Sequence, residues 1–476
     1  MTVHGCFNVN LFRRRNTAAA AAADPNPVRD AKTPSAEPRD VEAYYPCAWS
    51  SRSTKAVDQP PPYSGASGLP KEIGETIKAT VLEYSDKLTE ISRWIWQHPE
   101  LGYAEVGAHK RLTDLLESEG FEVERGYKDL PTAFRAVYKH GSGGRTFAFC
   151  SEYDALPGIG HACGHNLIAV AGVAGLLGMR AAMRKYGMDG TAVLIGTPAE
   201  EGGMGKAVLL DRGGFLGIDA CMMVHPVGDY AGVAPGTACV IPTLAVVELG
   251  IEFFGRPAHA GVAPWEGVNA LDAVHLAYGS ISALRQQLHP TDKVHGIITH
   301  GGKAPNIIPD YAAMKYFIRA KTANDVEALV AKVQACFDGA ATATECKVKY
   351  DVAPMTYDLR NNGPFCDEFA AAVSALWNRR TWIALDNWDN AGGSTDFGNV
   401  CYAMPACHPQ FGIPAEPGRG NHTPQFTEKC GTAKAHEYTF EFAAGMCAVG
   451  AQFLANKDFA DKAIKWWKED MKGAAV

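Results

Sequence analysis

Gly160-His161-Ala162-Cys163-Gly164-His165-Asn166 is the stretch from which the rest of the chain can be read. It places two imidazoles and a thiol within five residues. The apolar run Phe147-Ala148-Phe149-Cys150-Ser151 precedes it and reads as a buried strand. Leu167 to Met183, small and apolar, follows it and reads as a helix packed on a sheet. The cluster therefore falls where a strand ends and a helix begins, the place where open α/β sheets hold ligands and catalytic groups. Neutral imidazole and thiolate are good ligands for zinc and similar divalent ions. A buried cysteine beside two structural histidines would look the same in this stretch alone, so the remaining chain has to decide.

Working outward, the strand–helix alternation repeats. A helix over 167–186 leads to the strand Thr191-Ala192-Val193-Leu194-Ile195-Gly196, which ends in Thr197-Pro198-Ala199-Glu200-Glu201-Gly202-Gly203. The next strand, Ala220-Cys221-Met222-Met223-Val224, ends in His225-Pro226. Upstream, apolar residues from Ile73 to Ile95 recur at helical spacing, and a second helix covers 106–118. This alternation predicts an α/β fold with a mixed, mainly parallel sheet flanked by helices. From about Ile241 the pattern changes to β-α-β-β-α-β, the ferredoxin-like order. We read 71–240 and 355–476 as two parts of one catalytic domain. Residues 241–354 are an inserted α+β domain, and 1–70 is a low-complexity, disordered tail.

The 476-residue chain is 47% hydrophobic and 20% charged, a globular composition, with net charge −7. It has no basic block, which argues against a nucleic-acid partner. Its longest apolar segments are interrupted by Gly, His or charge sooner than a bilayer span allows, so we expect a soluble protein with no membrane partner. Thirteen scattered cysteines without a C-x-x-C pair do not form a disulfide framework and point to a reducing compartment, the cytoplasm. The Arg-bearing, acid-poor start leaves a mitochondrial presequence as the alternative.

Five candidate ligands stand near predicted strand ends: Cys163, His165, Glu201, His225 and His422. If those ends are adjacent, five ligands are about enough for two divalent metal ions. Adjacent loop side chains point in different directions, so Glu200 and Glu201 need separate roles. We assign Glu201 to metal and Glu200 to acid–base work, taking a proton from the attacking water and delivering it to the leaving amine. Taken alone, the Glu pair would be read as solvated loop charge.

Tyr153-Asp154-Ala155-Leu156-Pro157, the His161–Asn166 cluster, Pro198-Ala199-Glu200-Glu201-Gly202-Gly203 and His225-Pro226, in that order, resemble the M20 metallopeptidase family. The likeness covers about 71–455. It is nearest to the amidohydrolase branch, with the aminobenzoyl-glutamate hydrolases and the dipeptidases that cleave dipeptides ending in a basic residue. The resemblance implies a di-metal exopeptidase-like domain, an inserted lid that also forms a homodimer, and hydrolysis of dipeptides or N-acyl amino acids with a free carboxylate. It assigns His259, in Gly255-Arg256-Pro257-Ala258-His259-Ala260-Gly261, to the oxyanion in a partner's site, and Asn306 and Arg319 to substrate binding. A guanidinium grips a carboxylate with two parallel hydrogen bonds. Glu152 stands where the peptidase branch has a ligand histidine, which leaves a thiol- and imidazole-based ligand set. Asp154 is expected to orient a ligand histidine rather than bind metal. His161 is a further candidate for such a role, and His98 is a structural turn residue. Thiolate softness favours zinc, with manganese or cobalt as alternatives. The competing reading is a non-catalytic dimeric scaffold or small-ligand binder on the same fold.

Overall fold

The computed structural model describes residues 63, 65–228, 233–388 and 392–474. The first part of the chain forms α1 (Lys71–Gln97), α2 (Val106–Ser118), β1 (Glu122–Arg125), β2 (Phe134–His140), β3 (Arg145–Ser151), α3 (His165–Tyr186), β4 (Gly190–Gly196), α4 (Gly205–Asp211), β5 (Ala220–Met222), β6 (His225–Val227) and β7 (Ala238–Val240). An inserted unit follows: β8 (Ala245–Phe254), α5 (Ala270–Leu284), β9 (Lys293–His300), β10 (Tyr311–Ala320), α6 (Ala323–Thr344) and β11 (Lys347–Val352). The chain then returns with α7 (Gly363–Trp377), β12 (Thr381–Ile383), α8 (Phe397–Ala403), β13 (Ala406–Cys407), β14 (Gln410–Gly412), α9 (Pro424–Cys430), α10 (Ala433–Ala455) and α11 (Lys457–Asp470).

The main sheet has the order β1-β2-β4-β3-β5-β13. Its β4-β3-β5-β13 part is parallel, whereas β2 and β1 add on antiparallel. Alternate residues of β3 face opposite layers, as a period-2 strand requires. Phe147 and Phe149 enter the core under α1, α3 and α10, while Ala148 and Cys150 enter the one under α4 and α8. α1 joins the first core through one stripe, Ile73, Ile77, Val81, Leu88 and Ile95, each contributing about 1.5–3 kcal/mol by burial. The inserted unit keeps its own core. Its sheet order is β11-β8-β10-β9, antiparallel throughout, with β-α-β-β-α-β connectivity.

Several details differ from the sequence reading. The strand starting at Ala220 stops at Met222, and His225-Pro226 opens β6 in a separate small sheet, β12-β7-β14-β6. α3 is long and apolar enough to span a membrane, so Gly and His do not shorten the run as expected; 89% of its most apolar window is buried inside the protein, which is where that surface is used. The expected tail falls mostly outside the described residues. Its end is docked: the Tyr63 N–H donates to Thr381 O, and Ser67 and the Gly68 N–H donate to Glu368.

Candidate metal centre

Four chain segments build the site, one of them β6, which carries His225. Gly164, at φ 78°, turns the chain so that His165 opens α3. A Cβ at Gly164 would lie 2.5 Å from Pro226 Cγ, so its absence lets β6 come close. The second segment is the loop after β4, pinned by carboxylates. Glu105 accepts from the Ala199 N–H at 2.8 Å and Asp154 from the Glu201 N–H at 3.0 Å. Ala199 sits at φ 57°, a conformation that a non-glycine residue adopts at a cost. The third segment is the 420–423 loop, tied to the first by the His422 N–H donating to Ala162 O at 2.8 Å.

These segments bring Cys163, His165, Glu201, His225 and His422 together. Donor atoms of Cys163, His165 and His225 lie within 4.8 Å of one another, and so do those of Cys163, Glu201 and His422. Cys163 is common to both groups. Its Sγ is 3.4 Å from His225 Nε2, and His422 Nε2 is 3.5 Å from Glu201 Oε2. The second nitrogen of each ring is used to orient it where the backbone or a carboxylate allows: His225 Nδ1 faces Pro226 O at 2.8 Å, and His165 Nδ1 faces Asp154 Oδ1 at 2.9 Å. Asn421 lies against the sulfur at 3.7 Å.

The donor set fits a metal. His165 Nε2 and Glu201 Oε1 are buried and have no hydrogen-bond partner among the described residues, a costly arrangement unless something binds there. Burial raises the Cys163 thiol, but His225, His165 and His422 outweigh it and hold the thiol well below its ordinary range. Hydrogen bonds to Cys163 and Glu201 lift His422 to about 10.

Glu200 stands beside this cluster, its Oε2 3.9 Å from His165 Nε2. Burial first, then Glu152, Glu201 and Asp396, push its pKa well above the ordinary carboxylate value. With Glu152 and His165 it forms a third convergent group. From the sequence, Glu152 stands out only as a departure from the peptidase pattern. Here its Oε2 is 3.5 Å from His165 Nε2, and its other oxygen is paired with Lys206, which also pairs with Asp396. Sequence reasoning misses Lys206 and Asp396 because an ordinary helical lysine and a lone aspartate carry no signal. It misses His408 too, whose buried ring nitrogens lack a hydrogen-bond partner among the described residues and whose ring lies edge-on to that of His225 at 5.6 Å. His161 is buried, and burial pushes it down to about 3. His98 is exposed and stacks on Trp94 at 4.3 Å.

The other nominated residues lie in the inserted unit. His259 and Asn306 are exposed neighbours: residue 259 bridges Ile307, and the Ala260 N–H donates to Asn306 O at 3.0 Å. No hydrogen bond or ion pair joins the His259 side chain to the ligand cluster among the described residues; its Nδ1 accepts from the Gly261 N–H. Arg319 donates to Ser394 Oγ at 2.6 Å, and Ser394 donates to Leu244 O.

A family profile described as a peptidase dimerisation domain matches residues 245–345. The mouse Xaa-Arg dipeptidase is 41% identical over 379 residues, 76% of this chain and 85% of the relative. The human Xaa-Arg dipeptidase is 38% identical, covering 82% and 90% of the two chains. The chain belongs to the M20 peptidase family. A solved Bacillus subtilis protein, described as a dinuclear metal-binding peptidase of that family, superposes with a TM-score of 0.58 at 22% identity, over 78% of this chain and 99% of that one. A p-aminobenzoyl-glutamate hydrolase chain of Escherichia coli is 34% identical over 60% of this chain and 62% of its own. This M20 peptidase is therefore a metal-dependent hydrolase.

Proposed function

We propose that this M20 peptidase hydrolyses the amide bond of dipeptides and N-acyl amino acids with a free carboxylate, preferring a basic residue on the carboxyl side. The names of the two mammalian relatives support the basic preference. The observation that carries the reading is Cys163, shared by two ligand groups with Glu200 beside them. Cys163, His165 and His225 would hold one divalent ion, and Cys163, Glu201 and His422 the other. Thiolate softness favours zinc in both. Bound metals would activate water and polarise the carbonyl that it attacks.

The protein's own groups do the rest. The Glu200 carboxylate accepts a proton from water and passes it to the leaving nitrogen. Asp154 holds the His165 ring in one orientation. Arg319, half-buried beside Ser394, takes the substrate carboxylate, and Asn306 helps to hold it. His259 sits on an exposed loop with no hydrogen bond or ion pair to its own ligand cluster among the described residues, which favours a homodimer in which each lid supplies His259 to the other site and steadies the oxyanion. The eleven described cysteines are all free thiols, which supports a reducing compartment such as the cytoplasm.

The test is a substrate panel: dipeptides ending in Arg, Lys or Glu, an aminobenzoyl-glutamate and N-acyl amino acids, with and without chelator. Cleavage led by the basic dipeptides and abolished by chelator is expected. Activity that survives full metal removal, or that is unchanged in Glu200→Gln, would overturn the reading. Tight binding without turnover of any substrate would favour the scaffold alternative.

A further inference from the structure

Lys206 is fully buried and its ammonium is enclosed by carboxylates. Nζ pairs with Glu152 Oε1 and, at 2.6 Å, with Asp396 Oδ1, while the Lys206 N–H donates to Asp396 Oδ2 at 2.9 Å. A lysine is almost never fully buried unless paired, and burying such a charge network costs more than an apolar core of equal volume often would. Its placement explains why the cost is tolerated. Glu152 directly follows β3. Lys206 stands in the first turn of α4, just beyond the loop that carries Glu200 and Glu201. Asp396 is the residue directly before α8. One ammonium therefore ties together the three segments that surround Glu200.

The tie is also directional. Glu152 gives one oxygen to Lys206 and leaves the other without a hydrogen bond among the described residues. That free oxygen lies 3.5 Å from His165 Nε2 and converges on the same point as Glu200. Gly205 shows how little slack the loop has: a Cβ there would lie 1.8 Å from Pro198 O. Asp396 lies two residues beyond Ser394, which accepts the hydrogen bond from Arg319.

We infer that Lys206 is a positioning residue for the reaction: by clamping Glu152 and Asp396 it holds the 197–206 loop so that the Glu200 carboxylate stays in place beside the metal-ligand cluster. This rests on the reading of Glu200 as the proton carrier. A positioning role differs from a plain stability role in where the loss of Lys206 shows. Misplacing a catalytic group by about 1 Å can cost roughly 100-fold in rate. It leaves ground-state binding and the metal ligands alone.

The experiment compares Lys206→Met, Asp396→Asn and Glu200→Gln with the wild type in metal content, urea midpoint, kcat and KM on the best dipeptide. Lys206→Met is expected to keep wild-type metal content and a KM within about threefold while kcat falls roughly 100-fold. Asp396→Asn, which can still accept the Lys206 N–H, should show the same split with a smaller loss. If both keep wild-type kcat, or lose it only in proportion to lost metal or folded protein, the inference is overturned. If Lys206→Met does not fold, Asp396→Asn decides by the same criteria. A fully active Glu200→Gln would instead remove the underlying reading, so the two failures are distinguishable.

Discussion

His436 offers a sharp physical test of how the ligand segment is held. Its ring is 2% exposed. Nδ1 lies 2.7 Å from Thr432 O, which can only accept, so Nδ1 carries the proton. Nε2 lies 2.9 Å from Ser92 Oγ and must then accept from it. Ser92 Oγ in turn accepts from Asn166 Nδ2 at 2.9 Å, and Asn166 follows His165. A second proton on the ring would put two N–H donors on Ser92 and strand its hydroxyl proton in a dry core. Burial accordingly lowers His436 from 6.5 to about 4. A depressed folded pKa leaves stability intact above the unfolded value and removes it as pH falls towards the folded one. The window is therefore 6.5 down to about 4; at about 1.4 kcal/mol per pH unit the loss is roughly 3.5 kcal/mol across it and roughly 3 kcal/mol by about pH 4.5. Urea unfolding followed by circular dichroism, run from about pH 7.5 to 4.5, should show the wild type losing this much more than His436→Gln, whatever the starting offset of the variant. Parallel curves for the two proteins would refute the reasoning.

Other expectations follow from the same geometry. Cys163→Ala removes the atom common to both ligand groups, so metal analysis should show both ions lost and activity reduced by more than about 100-fold. His422→Ala should lose one ion only. Gly205→Ala forces a methyl group against Pro198 O; about 1–3 kcal/mol of stability should be lost in urea unfolding, together with activity. Mixing the inactive variants Glu200→Gln and His259→Ala through unfolding and refolding should restore roughly a quarter of wild-type activity, since half the dimers are mixed and one of their two sites is whole. No recovery would exclude a shared lid.

How much of this is legible in the sequence depends on the range of the interactions involved. The turn at Gly164 and the helix after it can be read because glycine, apolar run and strand are neighbours in the chain. The strands and helices of the inserted unit can be read because ten-residue strands such as β8 show a full period-2 pattern. The small sheet cannot: its strands are three residues long, too short to carry a period. That is why His225-Pro226 reads as a strand end rather than a strand start. Lys206 is invisible for a different reason. Nothing in Gly205-Lys206-Ala207 says buried; the burial comes from Glu152 and Asp396, 54 and 190 residues away. Arg319 reads as a free guanidinium, and its partner Ser394 is likewise 75 residues distant. The membrane-length character of α3 is underestimated because glycine interrupts an apolar count on paper but not an apolar surface in a helix.

The most direct test of the central claim is an anomalous-scattering map from crystals of the metal-loaded protein. The account predicts two peaks flanking Cys163 Sγ, one beside His165 and His225 and one beside Glu201 and His422, with Glu200 bound to neither. A single peak, or two peaks with the sulfur outside the coordination of either, would contradict it.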